Sequence, residues 1–184
     1  MVAALACGPK RPAKPEPSAV DRRIEAAQAH ERSRRYDLAE AEYRAAIAAA
    51  PTTAERSKAR RALASALIFW GKYRAAEATL SRLVADSPAR VGAWHDLGML
   101  RAKLGDRAGA ETALRQSVSL APRDPRSRIS LAALLVNQRR FLEAEAEYRA
   151  LLDLELPDKI RKAVNKALRL LDRQLELDAA ATGR

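Results

Sequence analysis

Apolar and small side chains recur along this chain in clusters three and four residues apart, and the clusters themselves repeat. Leu63, Ala64 and Leu67 are echoed by Trp94, Leu97 and Gly98, and again by Leu131, Ala132 and Leu135. A second set follows each cluster: Ala76, Leu80 and Leu83, then Ala110 and Leu114, then Ala144, Tyr148 and Leu151. Spacing of this kind places each cluster on one face of a helix. No segment alternates with strand periodicity, so the pattern predicts an all-α chain built from pairs of helices.

Pro88 and Pro122 stand 34 residues apart, and the segment before each carries the same positions. The repeats span residues 20–53, 57–90, 91–124 and 125–158, with 54–56 inserted between the first two. Small residues at the eighth position (Ala27, Ala64, Gly98, Ala132) and the twentieth (Ala39, Ala76, Ala110, Ala144) let two helices approach closely. Gly71 and Gly105 suit a left-handed turn between the helices of a pair, where Arg34 and Arg139 stand in the outer copies. Pro51, Pro88 and Pro122 stop the second helix.

With Val91 as position one, Trp94, Leu97, Gly98, Ala110 and Pro122 match the tetratricopeptide repeat, which the chain resembles from Val20 to Asp158; Arg101 and Ser117 depart from its usual Tyr and Ala. The resemblance implies a right-handed superhelical solenoid of four helix pairs, with the first helix of each pair on a concave face. Beyond Pro157, Ile160, Val164, Leu168, Leu171 and Leu175 form an apolar stripe, which predicts a capping helix over 159–178 and a frayed tail over 179–184.

The family's groove positions give a binding set of Lys58, Arg61, Phe69, His95, Met99, Lys103, Arg126, Ile129 and Val136. These mix cations with apolar groups, which suits a protein or peptide segment having acidic and apolar residues, bound across the second to fourth repeats. Ile24 and Gln28 stand where carboxylate-clamping cochaperones of this family have Lys and Asn, so that specific function is not implied.

Charge alters the picture only modestly. The formal net charge is +11, concentrated in residues 54–90 and the final helix. A basic nucleic-acid-binding protein is one reading, but no phosphate loop or set of stacking aromatics accompanies the charge, and nucleic acid is the less favoured partner. The two histidines, His30 and His95, have no cysteine near them, so neither a metal site nor a cofactor is expected. Neither a nucleophile elbow nor a zincin motif occurs, and the expected function is noncatalytic.

Residues 1–19 lie outside the repeats and read as a short apolar segment followed by a disordered proline-rich linker. Leu5, Ala6, Cys7 and Gly8 resemble a bacterial lipobox, with Cys7 as the lipidated residue and a signal segment upstream of Met1. This implies a tetratricopeptide lipoprotein of the bacterial cell envelope, at the outer membrane facing the periplasm, held to the membrane by the lipid on Cys7 alone. Its layout is similar to that of the type IV pilus pilotins. The alternative is a cytoplasmic adaptor with an incidental cysteine.

Overall fold

A computed structural model describes residues 16–182. Within them lie nine α-helices and no strand: α1 (Ala19–Arg32), α2 (Tyr36–Ala49), α3 (Thr53–Phe69), α4 (Tyr73–Asp86), α5 (Val91–Lys103), α6 (Arg107–Leu120), α7 (Pro125–Asn137), α8 (Phe141–Leu152) and α9 (Asp158–Thr182). Cys7 and most of the linker fall outside the described residues.

Helices pack as the pairs α1–α2, α3–α4, α5–α6 and α7–α8, each pair resting on the next, with α9 against α8. The two small positions of every repeat are buried at the centre of its pair. At Gly98 the approach is close: an added Cβ would stand 2.7 Å from Leu114 Cγ and 3.1 Å from the Ala110 carbonyl oxygen. Leu67, Leu97, Leu114 and Leu135 fill the space beside these contacts and are fully or almost fully buried.

The four turns within pairs share one geometry. Arg34, Gly71, Gly105 and Arg139 all have positive φ, between 56° and 85°. Around each, two backbone bonds satisfy the end of the preceding helix. Arg35 N–H donates to the His30 carbonyl and Arg34 N–H to that of Glu31, as do Lys72 to Leu67 and Gly71 to Ile68. This is the Schellman arrangement. The arginine turns therefore adopt the glycine conformation, with the steric cost of a Cβ there.

Capping marks the helix starts. Thr52 Oγ1 accepts from Glu55 N–H and its hydroxyl donates to the Glu55 carboxylate at 2.9 Å, capping the start of α3. Asp124 caps α7, with Pro125 in its first turn. The inserted residues 54–56 are absorbed into α3, which starts a turn earlier in its repeat than its counterparts and reaches 17 residues.

The departures from the family pattern have structural partners. Arg101 Nε donates to Glu77 Oε1 at 3.2 Å, tying α5 to α4. Ser117 donates to the Val91 carbonyl oxygen at 2.9 Å and shares a buried 2.7 Å hydrogen bond with Ser127, so one hydroxyl joins α5, α6 and α7.

One expectation needs correction. The last helix does not fray after residue 178 but continues to Thr182. Ala179, Ala180 and Ala181 are the best helix formers, and nothing in them stops the helix.

Candidate functional site

Helices α1 and α3 lie side by side, each the first of its pair, and a cleft of about 990 Å³ opens along them. Ile24 and Gln28 reach it from α1, and Lys58, Arg61, Ser65 and Phe69 from successive turns of α3. Those four recur at intervals of three and four residues, which sets them on one helix face. Ala54 extends the row by one turn at its start. It belongs to the inserted residues, so the insertion lengthens the wall of the cleft.

The cleft has an apolar floor and a cationic rim. Ile24, Tyr43 and Ala66 belong to the core beneath it, while Phe69 is 80% exposed at its end. Four cations line it: Arg32, Lys58, Arg61 and Arg90. Lys58 is committed to Asp21, from α3 to α1, and holds that carboxyl below its usual range. Arg32, Arg61 and Arg90 have no ion-pair partner among the described residues. Glu31 is the acid on the lining, and it accepts a 2.9 Å hydrogen bond from Tyr43. Burial, reinforced by Glu31, pushes the Tyr43 hydroxyl well above the usual tyrosine range, so it stays a proton donor.

Of the nine groove residues expected from the sequence, Lys58, Arg61 and Phe69 line this cleft, and the other six do not. Lys103 and Arg126 do not reach this cleft, and each is engaged elsewhere. Lys103 lies over the Tyr73 ring, 4.3 Å from its centre. Arg126 is turned back on its own helix cap, where it donates to Asp124 at 2.6 and 3.1 Å; this also depresses the Asp124 carboxyl. His95 bridges Asp96 at 3.3 Å and Ser130 at 3.2 Å, linking α5 to α7. Ile129 packs on the cluster of Leu151, Leu156 and Val164, and Val136 on that of Leu131, Leu135 and Leu171. Met99 is 46% exposed but stands apart from the cleft.

The sequence reading missed Arg32, Arg90 and the inserted Ala54. Arg32 stands at the thirteenth position of the first repeat, the groove position that Lys103 holds in the third, so the repeat spacing could have found it; Arg90 ends the second repeat, where no groove position falls. Ile24 and Gln28 also hold groove positions, in the first repeat, outside the second to fourth repeats from which the expected set is drawn. Among the described residues there is no cluster of three or more metal-ligating side chains, and no helix is long and apolar enough to cross a membrane.

Residues 22–53 and 91–124 match a family model, the tetratricopeptide repeat. No curated protein matches the chain by sequence at a significant level. Solved structures do match the fold. A MamA protein superposes with a TM-score of 0.72 at 16% identity, covering 89% of this chain and 86% of its own. YrrB, described as a tetratricopeptide protein with an unusual peptide-binding site, gives 0.65 at 18% identity, covering 84% and 76%. The Yersinia enterocolitica type III secretion chaperone SycD, solved with a peptide of the translocator YopD, gives 0.59 at 18% identity, covering 64% and 92%. Two stretches of the chain thus match the tetratricopeptide repeat, and among the described residues the fold is a solenoid of four helix pairs closed by a ninth helix.

Proposed function

We propose that this tetratricopeptide solenoid is a noncatalytic scaffold that binds a peptide segment of a partner protein in the cleft between α1 and α3. The observation that carries the reading is the pairing of an apolar floor with three cations, Arg32, Arg61 and Arg90, that no acid of the described chain neutralises. A segment presenting an aspartate or glutamate beside a leucine or aromatic residue satisfies both. The exposed Phe69 ring supplies the apolar anchor, and the arginines orient and select. Two proteins of the same fold, SycD and YrrB, are described as peptide-bound or as having a peptide-binding site, which supports this class of partner.

Selection from a random peptide library tests it, with counter-selection on a variant carrying Arg61→Glu and Phe69→Ala. The expected ligands combine acidic and apolar residues and are not held by the variant. Ligands retained equally by both proteins would sink the reading.

The role of the scaffold is read from the amino-terminal segment. A lipid on Cys7 followed by a proline-rich tether would hold the solenoid at the bacterial cell envelope, at the outer membrane facing the periplasm, as an assembly or secretion factor of pilotin-like layout. Fractionation of cells expressing the gene with its native upstream sequence tests this. Wild type is expected with membranes and Cys7→Ser mainly with soluble protein. Wild type found wholly in the cytosol would make the chain a cytoplasmic adaptor instead.

A further inference from the structure

The ninth helix carries a second unneutralised surface, on the side away from the repeats. Val164 and Leu171 are buried and Ile160 and Leu168 half-buried, so one face of α9 is spent on capping α8. The opposite face bears Lys159, Lys162, Lys166, Arg169 and Arg173, all exposed and spaced by three and four residues. At 1.5 Å per residue this row is about 21 Å long. None of the five has an ion-pair partner among the described residues. Asp172 and Glu176, at its margin, lie beyond ion-pair distance.

Two large apolar residues interrupt the cations. Leu170 is 59% exposed and Leu177 is 57% exposed. Leu170 falls one turn after Lys166 and Leu177 one turn after Arg173, so both share the cationic face. Neither contributes to the cap. A duplex phosphate backbone offers such leucines nothing, whereas the boundary between lipid headgroups and acyl chains accepts apolar groups flanked by cations.

We propose that the outer face of α9 is a docking surface for an anionic lipid bilayer, with the cations over the headgroups and Leu170 and Leu177 dipping between them. It adds a reversible contact to any lipid on Cys7, where the sequence had led us to expect membrane contact through that lipid alone. Single acyl chains bind only marginally, and a polybasic surface is the kind of second signal that makes attachment stable.

The test uses the full, unlipidated chain with Cys7→Ser. Sedimentation with vesicles of equal parts phosphatidylcholine and phosphatidylglycerol is compared with phosphatidylcholine alone. Wild-type α9 is expected to bind the anionic vesicles at low salt and the neutral ones hardly at all. A cation near such a surface contributes about fivefold in affinity, so Lys162→Gln, Lys166→Gln and Arg173→Gln together are expected to lose about a hundredfold. Leu170→Ser with Leu177→Ser should weaken vesicle binding while leaving retention on duplex DNA unchanged. Arg61→Gln, in the cleft, should leave vesicle binding intact. The changes on α9 and at Arg61 are at exposed positions, and an unaltered circular-dichroism melt verifies the fold in each variant. Equal binding to neutral vesicles, an undiminished triple variant, or loss through Arg61→Gln would overturn the proposal. Inert leucines with DNA held as tightly as vesicles would reassign the face to nucleic acid.

Discussion

The outer side of the last two repeats and the cleft of the first two are both rich in arginine, yet the two regions treat it differently. On α6–α8, Arg140 donates to Glu111 at 2.5 Å and to Glu143 at 2.6 Å, Arg115 reaches Glu111 and Glu143, and Arg128 pairs with Glu147 at 2.6 Å. Each of these three cations reaches a carboxylate on another helix, and the Arg140–Glu111 and Arg115–Glu143 pairs tie the third repeat to the fourth. In the cleft, Arg32, Arg61 and Arg90 have no such partner, and an exposed aromatic ring stands beside them. A high net charge therefore says little by itself about binding. What matters is which cations the fold has already neutralised.

The comparison can be attacked first through the scaffold that both regions share. Ala110→Leu forces methylenes into a fully buried helix contact and should lower stability by about 1–3 kcal/mol, read as a drop in the thermal midpoint. Gly98→Ala should also destabilise, although alanine is the better helix former, because its Cβ meets Leu114 and the Ala110 backbone. A raised midpoint for either would show that the pair packing is looser than described.

Phe69→Ala separates the regions directly. Titrated against a selected acidic peptide, it should weaken binding by about 1–3 kcal/mol at any salt, as loss of an anchor does. The melting temperature should hardly move, since the ring is exposed. A lower midpoint with unchanged affinity would make Phe69 a packing residue.

The ion network should respond to acid rather than to peptide. Hydrogen bonds from Arg140, then from Arg115, hold the Glu111 carboxyl below its usual range despite some opposing desolvation. A depressed folded-state value means the unfolded chain binds the proton first. The stabilisation is then fully present above the usual carboxylate range and is lost as pH falls through and below it. Glu111→Gln should cost less than about 1 kcal/mol near neutral pH and flatten the loss of stability in acid, leaving peptide affinity unchanged. An acid-unfolding curve identical to wild type would mean the network is not coupled to folding.

The smallest effect is expected from Arg61→Gln. An exposed charge acts mainly on association rate and is screened within about 10 Å at moderate salt. Peptide binding should weaken by a few tenths of a kcal/mol to about 1 kcal/mol at low ionic strength and converge with wild type at high salt. A deficit that persists in high salt would mean that Arg61 makes a desolvated contact in the complex.

Much of the architecture was open to reading without coordinates. Repeat phase, helix pairing, the small buried positions and the proline breaks follow from spacing, because a helix turns by a constant angle and only small side chains permit close approach. Arg34 and Arg139 could be placed at left-handed turns by their alignment with Gly71 and Gly105, and they adopt that conformation. The apolar stripe of α9 ends near residue 175 and gives no sign of the helix beyond 178, whereas α9 continues through Thr182, following the local helix preference of alanine.

The binding set fared differently, and the reason is physical. Groove positions say which helix face a side chain occupies, not whether another group has already claimed it. Arg126 meets Asp124 two residues away, Lys103 finds a tyrosine on the preceding repeat, and Ile129 and Val136 are taken into apolar clusters. Arg32, Arg61 and Arg90 come together from three helices' worth of chain, and they stay free because no carboxylate folds within reach. Spacing along the chain determined the solenoid, since its contacts are local and repeated. Which charges remain unspent depended on distances between repeats, and those only the folded structure sets.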